Sequence, residues 1–147
     1  MPRFPEPRPC FTLELEVRDY ELDRFGVVNN AVYQNYLEHA RHEYLHTRGI
    51  SLDDLWSRGF SPVVTKIDLA FLHSLRSRDR FLVTLAVEAV TRVRFTFVQT
   101  LKPLSRPRPF AWARVTGTVL NASGRPEIPP DFRRLQDDIE LTQLSST

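Results

Sequence analysis

The segment from residue 18 to residue 30, RDYELDRFGVVNN, holds the residues best suited to chemistry. Asp23 is followed by Gly26 and then by Asn29 and Asn30, which are both good helix N-caps. The apolar spacing that begins at Asn30 predicts a helix, and a glycine lets the chain bend back toward its start. The Asp23 carboxylate is therefore expected beside the unpaired backbone N–H groups at the positive end of the helix dipole.

Such an arrangement suits acyl transfer. Backbone N–H groups around residues 29–31 would polarise a thioester carbonyl and stabilise its oxyanion, and one such donor contributes roughly 2.7–4 kcal/mol. Asp23 would attack the carbonyl or activate a water, and the residues leave both roles open. Acidic residues and asparagines before a helix are usually caps, so the spacing by itself also allows a purely structural Asp23.

Sequence periodicity predicts the elements that position this segment. Alternation over residues 11–17 predicts a strand, and a wide apolar face predicts a long helix from about Asn30 to Arg48 that ends at Gly49. A short helix opens at Ser51. The predicted remainder is four consecutive antiparallel strands and a helical tail, at about residues 63–71, 81–89, 93–101, 110–120 and from 131. The predicted class is α+β, an antiparallel sheet wrapped around one long central helix.

Composition bounds the domain organisation and the partners. The four prolines of residues 1–9 predict a flexible leader, and residues 10–147 predict a single domain. The net charge is +2 and the arginines are scattered, which argues against nucleic acid as a partner. One cysteine, no apolar targeting segment and no run long enough to span a bilayer predict a cytoplasmic protein.

The string DRFGVVNNAVY, from Asp23 to Tyr33, resembles the D-x-x-G-x-V-N-N-x-x-Y signature of hotdog thioesterases of the 4-hydroxybenzoyl-CoA thioesterase type. Residues 17–43 are more similar still to the plant and cyanobacterial acyl-lipid (acyl-ACP) thioesterases. The resemblance implies a hotdog fold, a catalytic Asp23 and an oxyanion donor in the Asn30 backbone amide. It also implies a homotetramer built from dimers. Val27 stands where many relatives have a histidine, and this departure fits the acyl-lipid group.

Further residues are candidates for the same site. Asn29 is a second catalytic candidate, and Glu38 on the long helix is a backup base, as in some hotdog enzymes. The predicted substrate-binding residues are Gly26, Val28, Tyr33 and Arg94.

A different chemistry is suggested by residues 42–46. His42-Glu-Tyr-Leu-His46 matches the H-E-x-x-H pattern of zinc proteases, but no third ligand is evident downstream. We expect no metal and no cofactor.

The predicted function is hydrolysis of acyl-ACP or acyl-CoA thioesters, with fatty or 3-oxoacyl chains implied by the resemblance. An aromatic acyl-CoA thioesterase is one alternative. A non-catalytic hotdog module that binds acyl thioesters is another, because the fold by itself does not imply catalysis.

Overall fold

The computed structural model describes residues 4–105 and 107–144. Its helices are α1 (Asn30–Thr47), α2 (Leu52–Ser57) and α3 (Arg134–Leu144). Its strands are β1 (Phe11–Glu16), β2 (Ser61–Phe71), β3 (Arg80–Val90), β4 (Phe95–Pro103) and β5 (Ala111–Leu120). The long helix lies within one residue of its predicted bounds, and the α+β class is confirmed.

All strand pairs are antiparallel, and the strand order is β1-β3-β4-β5-β2. The expectation of four consecutive neighbouring strands is wrong for β2, which pairs with β5 at the far edge of the sheet. The connection between β2 and β3 is instead held against the loop before α1. Leu75 in this connection is fully buried, and its carbonyl accepts a hydrogen bond from the Val28 N–H at 2.8 Å. The connection between β2 and β3 therefore does not form a hairpin turn but supports the loop that carries Asp23.

The core lies between α1 and the inner face of the sheet. The first half of α1 buries Tyr33, Tyr36, Leu37 and Ala40 against strand residues such as Val83. The second half belongs to another cluster, with Tyr44, Leu45, Phe95, Phe97, Phe132 and Leu135. The apolar residues lie on one stripe of the helix and at every second position of the strands, so each element buries one face in these clusters. Burial of apolar surface stabilises the fold by about 25 cal/mol per Å².

α3 closes the end of the second cluster. The Tyr44 hydroxyl donates to the Asp138 carboxylate, and Arg48 Nε lies 3.1 Å from the same carboxylate. These contacts attach the C-terminal helix to the end of α1.

The proline-rich leader has no regular secondary structure over its described residues 4–9. The Phe4 ring lies 5.1 Å from the Trp112 ring, and Trp112 Nε1 donates to the Pro5 carbonyl at 2.8 Å. The leader thus covers part of the outer face of the sheet. Its flexibility, and the single-domain boundary at residue 10, stay predictions.

Val93 was expected in a strand but lies in the turn between β3 and β4. In this turn the Thr91 N–H donates to the Arg94 carbonyl, and Val93 is half exposed.

No helix among the described residues is long and apolar enough to cross a bilayer.

Candidate active site

The loop of residues 18–29 is fixed to α1 by Glu21, a buried acid to which the sequence analysis gave no role. Its Oε1 accepts hydrogen bonds from the Tyr36 hydroxyl at 2.9 Å and from the Arg18 N–H at 2.8 Å. Its carbonyl accepts the Asn29 N–H at 3.0 Å. Burial is the main cause that raises the pKa of Tyr36, and the hydrogen bond to Glu21 adds to it. Glu21 therefore attaches the loop to α1 through the Tyr36 side chain and to the residue before α1 through the Asn29 N–H, and Asp23 lies between these two attachments.

Asp23 sits in a tight turn with one carboxylate oxygen engaged. Its Oδ1 accepts the Phe25 N–H at 2.8 Å and the Val27 N–H at 3.4 Å. The turn closes through the Gly26 N–H, which donates to the Asp23 carbonyl at 3.1 Å. Gly26 has a φ of 80°, in the left-handed region that favours glycine. Within the described residues, Oδ2 receives no hydrogen bond, so this oxygen is available for chemistry.

The first residue of α1 offers a backbone donor that is free within the described part of the chain. Asn29 is the N-cap, and its Oδ1 accepts the Ala31 N–H at 3.0 Å, while its carbonyl accepts the Val32 N–H at 2.9 Å. The Asn29 N–H is itself bonded to Glu21. The Asn30 N–H has no acceptor among the residues that the structure describes. Of the three amides considered as oxyanion donors, those of Asn29 and Ala31 are bonded, and that of Asn30 is free as far as the described chain extends.

Asp23 and Asn30 line the same cleft, which has a volume of about 300 Å³. Its walls come from the loop, from the first turn of α1 and from the residues just after β2, and include Val28, Tyr33, Phe71 and His73. Phe71 is 51% exposed and packs edge-on against the Tyr33 ring at 5.0 Å. The cleft thus places a carboxylate, a free amide and an aromatic wall beside one another.

The Tyr33 hydroxyl has a structural partner. It donates to the His73 carbonyl at 3.5 Å, and burial raises its pKa, so the phenol is neutral at ordinary pH. Tyr33 is therefore a wall of the cleft and not an acid or base of the reaction.

The structure does not bring Arg94 or Glu38 to this cleft within one chain. Arg94 directly precedes β4. The cleft lies near the other end of that strand, because Leu101 of β4 pairs with Ala111 of β5, which in turn pairs with Phe71 in the cleft wall. Six residues of strand separate the two ends, or about 20 Å. Glu38 lies eight residues beyond Asn30 on α1, about 12 Å along the helix axis, and lines a different pocket.

The histidines of the H-E-x-x-H pattern do not form a metal site in the described part of the chain. His42 and His46 are exposed, and no group of three or more His, Cys, Asp or Glu side chains there is placed to hold a metal ion.

One antiparallel sheet wrapped around a long helix defines a hotdog fold. Residues 17–135 match the model of the Thioesterase-like superfamily, and the chain belongs to this superfamily.

The relatives by sequence include two acyl-acyl carrier protein thioesterases of Arabidopsis thaliana, the chloroplastic ATL2 and ATL3. Each is 39% identical over 122 residues, which cover 83% and 82% of this chain. The chain spans just under two thirds of these relatives' own lengths, 65% and 64%.

Among solved structures, a 1,4-dihydroxy-2-naphthoyl-CoA thioesterase from Synechocystis superimposes with a TM-score of 0.78 at 22% identity. The match covers 88% of this chain and 94% of that one. At this identity the likeness establishes the fold.

Proposed function

We propose that this protein hydrolyses acyl thioesters to a free acid and a thiol, with Asp23 and the Asn30 backbone amide as its catalytic groups. The observation that carries the proposal is the pairing of two groups in one cleft: a carboxylate oxygen and a helix N–H, neither of which has a hydrogen-bond partner among residues 4–105 and 107–144. The two Arabidopsis relatives named as acyl-acyl carrier protein thioesterases support the same chemistry.

In the proposed reaction the thioester carbonyl oxygen accepts the Asn30 N–H. With Asp23 as base, the carboxylate takes a proton from water while the water oxygen bonds to the carbonyl carbon. The tetrahedral oxyanion then collapses, the C–S bond breaks, and the proton passes from Asp23 to the departing sulfur. With Asp23 as nucleophile, its carboxylate oxygen bonds to the carbonyl carbon and the C–S bond breaks, which gives a mixed anhydride and a thiolate. Water then cleaves the anhydride, which restores the Asp23 carboxylate, releases the acid and supplies the proton that the thiolate takes up.

For the substrate, we propose a fatty or 3-oxoacyl chain on acyl carrier protein or coenzyme A. The names of the Arabidopsis relatives support a carrier-protein thioester. One specific feature favours an aromatic acyl group as the second candidate. The edge-to-face pair of Tyr33 and the half-exposed Phe71 offers a flat ring a stacking surface.

We further propose that the protein works as a homo-oligomer, a tetramer built from dimers, in the cytoplasm. β2 is an edge strand paired only with β5 in the described chain, and its Val64 and Phe71 are 43% and 51% exposed. A second copy would pair with the free edge of this strand. The single free cysteine suits a reducing compartment. Light scattering tests the assembly, and a monomer would contradict it.

The substitution Asp23→Asn tests the catalytic proposal. Asparagine keeps an oxygen that can accept the Phe25 N–H, so the turn is preserved, but the general base and nucleophile are lost. We expect kcat for thioester hydrolysis to fall at least about 100-fold with an unchanged melting temperature. Glu16→Gln removes an exposed carboxylate nearby on β1 and should leave kcat unaltered. Full activity in Asp23→Asn would end the mechanism, and no activity in the wild-type protein on any acyl-CoA or acyl-ACP would favour the non-catalytic binding module.

A further inference from the structure

The proline-rich leader crosses the outer face of the sheet. Its crossing begins beside β3, where the Cys10 N–H donates to the Leu85 carbonyl at 2.9 Å. It passes β4, where Val98 lines two grooves together with leader residues. It ends on β5, where Trp112 Nε1 donates to the Pro5 carbonyl at 2.8 Å. The leader therefore runs across three neighbouring strands and not along one of them.

Burial within the leader repeats every three residues. Phe4, Pro7 and Cys10 are partly buried, and the residues between them are exposed. A polyproline II helix has three residues per turn, so one edge of such a helix meets a surface at every third residue. The partly buried edge is the one that meets the sheet. The Phe4 ring packs on the Trp112 ring, and Pro7 lines a groove of the outer face. The repeat thus indicates a fitted contact between the leader and the sheet.

The strand residues beneath the leader form one continuous patch. Their side chains alternate along the strands with those of the core, and this outer patch consists of Thr84 and Ala86 of β3, Val98 and Thr100 of β4, and Trp112 of β5. Each of these residues is at most 7% exposed. One face of an antiparallel sheet is commonly left to water. The middle of this face is instead covered by the leader and by α3, whose Ile139 borders the same groove as Pro7.

A released leader would return the Trp112 ring and Val98 to water, on a surface formed by three neighbouring strands. Such a surface packs readily on another sheet, because face-to-face packing removes both apolar surfaces from water. The charges on this face suit a second copy of the chain. Glu88 on β3 and Arg114 on β5 form a two-fold hydrogen-bonded ion pair across β4, at 2.9 and 3.0 Å. About a two-fold axis, the acid of one copy can lie opposite the base of the other.

We propose that the leader is a strap that docks on the outer patch and keeps it closed to a second copy of the chain. Release of the strap lets two copies associate through this face of the sheet. The free edge of β2 lies at the side of the sheet, so the contact proposed above for that edge stays open in both states. The strap does not depend on the proposed thioesterase activity.

The fluorescence of Trp112 tests whether the strap is docked. The protein has two tryptophans, and the other, Trp56, is 73% exposed, so Trp56→Phe leaves Trp112 as the reporter. Acrylamide should quench Trp112 poorly while the leader covers it. Pro7→Asp places a charge on the edge of the leader that meets the sheet, and it should make Trp112 accessible to acrylamide. Pro9→Asp makes the same replacement at an exposed position, and this matched control should leave Trp112 protected.

Light scattering on the same variants tests the closed face. The mass of the Pro7→Asp assembly should about double relative to the wild type, because a two-fold contact joins two copies. The Pro9→Asp assembly should keep the wild-type mass. Adding Val98→Lys to Pro7→Asp brings two like charges together in the middle of the patch, which should restore the wild-type mass.

The proposal is overturned if acrylamide quenches Trp112 as freely in the wild-type leader background as in the urea-unfolded protein. It is also overturned if Pro7→Asp exposes Trp112 without a rise in mass, or if Val98→Lys fails to reverse that rise. Should circular dichroism show that Pro7→Asp does not fold, Phe4→Ser removes the ring that packs on Trp112 and leaves every proline in place. A more accessible Trp112 and a raised mass in that variant support the strap, and unchanged values refute it.

These measurements are independent of catalysis. A wild-type protein that protects Trp112 but hydrolyses no thioester would refute the proposed activity and leave the strap standing. Hydrolysis by a protein whose Trp112 is fully accessible would do the reverse.

Discussion

The substitution Asn30→Pro removes the proposed oxyanion donor from the backbone. Asn30 is the first residue of α1, where proline is favoured because its φ is already helical and the missing N–H has no helical acceptor. The preceding residue suits this change, since Asn29 has φ −59° and ψ 135°, in the extended region that proline requires before it. No hydrogen bond within the described chain is lost.

The expected loss of activity follows from the value of one oxyanion donor. Removing about 2.7–4 kcal/mol of transition-state stabilisation lowers kcat about 100- to 1,000-fold, at 1.36 kcal/mol per factor of ten. Stability should not fall, since proline at a compatible position restricts the unfolded chain and adds about 0.4–1 kcal/mol. The melting temperature should therefore stay level or rise slightly.

The assay follows released thiol from a panel of acyl-CoA and acyl-ACP substrates and separates kcat from KM. Asn30→Ala is the matched control, because it loses the side chain but keeps the N–H, and it should retain near wild-type kcat. A loss confined to kcat identifies a donor used in the transition state, whereas a rise in KM alone indicates that the proline ring hinders binding. A folded Asn30→Pro protein with wild-type kcat would refute the oxyanion role.

Other substitutions and alkaline pH test the supports of the site. Tyr36→Phe leaves the buried Glu21 carboxylate with one donor fewer, so urea unfolding should show a loss of about 1–3 kcal/mol; an unchanged midpoint would count against the contact. Gly117→Ala places a Cβ within 2.4 Å of the Phe95 ring and should lower the melting temperature, which a level melting curve would contradict. Tyr33, Tyr36 and Tyr44 have pKa values raised above the ordinary value of about 10, chiefly by burial, so the stability they contribute is present below about pH 10 and lost as the pH rises above it. Phenolate absorbance from these three residues should therefore rise together with unfolding. Their ionisation in the folded state would disprove the prediction.

The local elements could be predicted from the sequence because their causes are local. The apolar stripe of α1, its N-cap at Asn29 and its stop at Gly49 are set by neighbouring residues in the chain. The turn that contains Asp23 follows in the same way, since a glycine three residues later can adopt the left-handed conformation that closes it. Strand periodicity likewise places residues on the inner or outer face of the sheet.

The contacts that join distant segments could not be predicted in this way. The pairing of β2 with β5, the Glu21–Tyr36 bond and the meeting of Arg41 with Gln99 each depend on which surfaces pack together. Periodicity says which face of an element is buried, but it does not say what that face meets.

The amino-acid sequence by itself thus determined the helix, its N-terminal loop and the position of Asp23 in that loop, because backbone conformation and capping act over a few residues. Only the tertiary structure decided which acid anchors the loop and which candidate amide has no acceptor among the described residues. These outcomes are set by hydrogen-bond donors and acceptors that compete across the whole fold, and the competition is resolved only when all of them are in place.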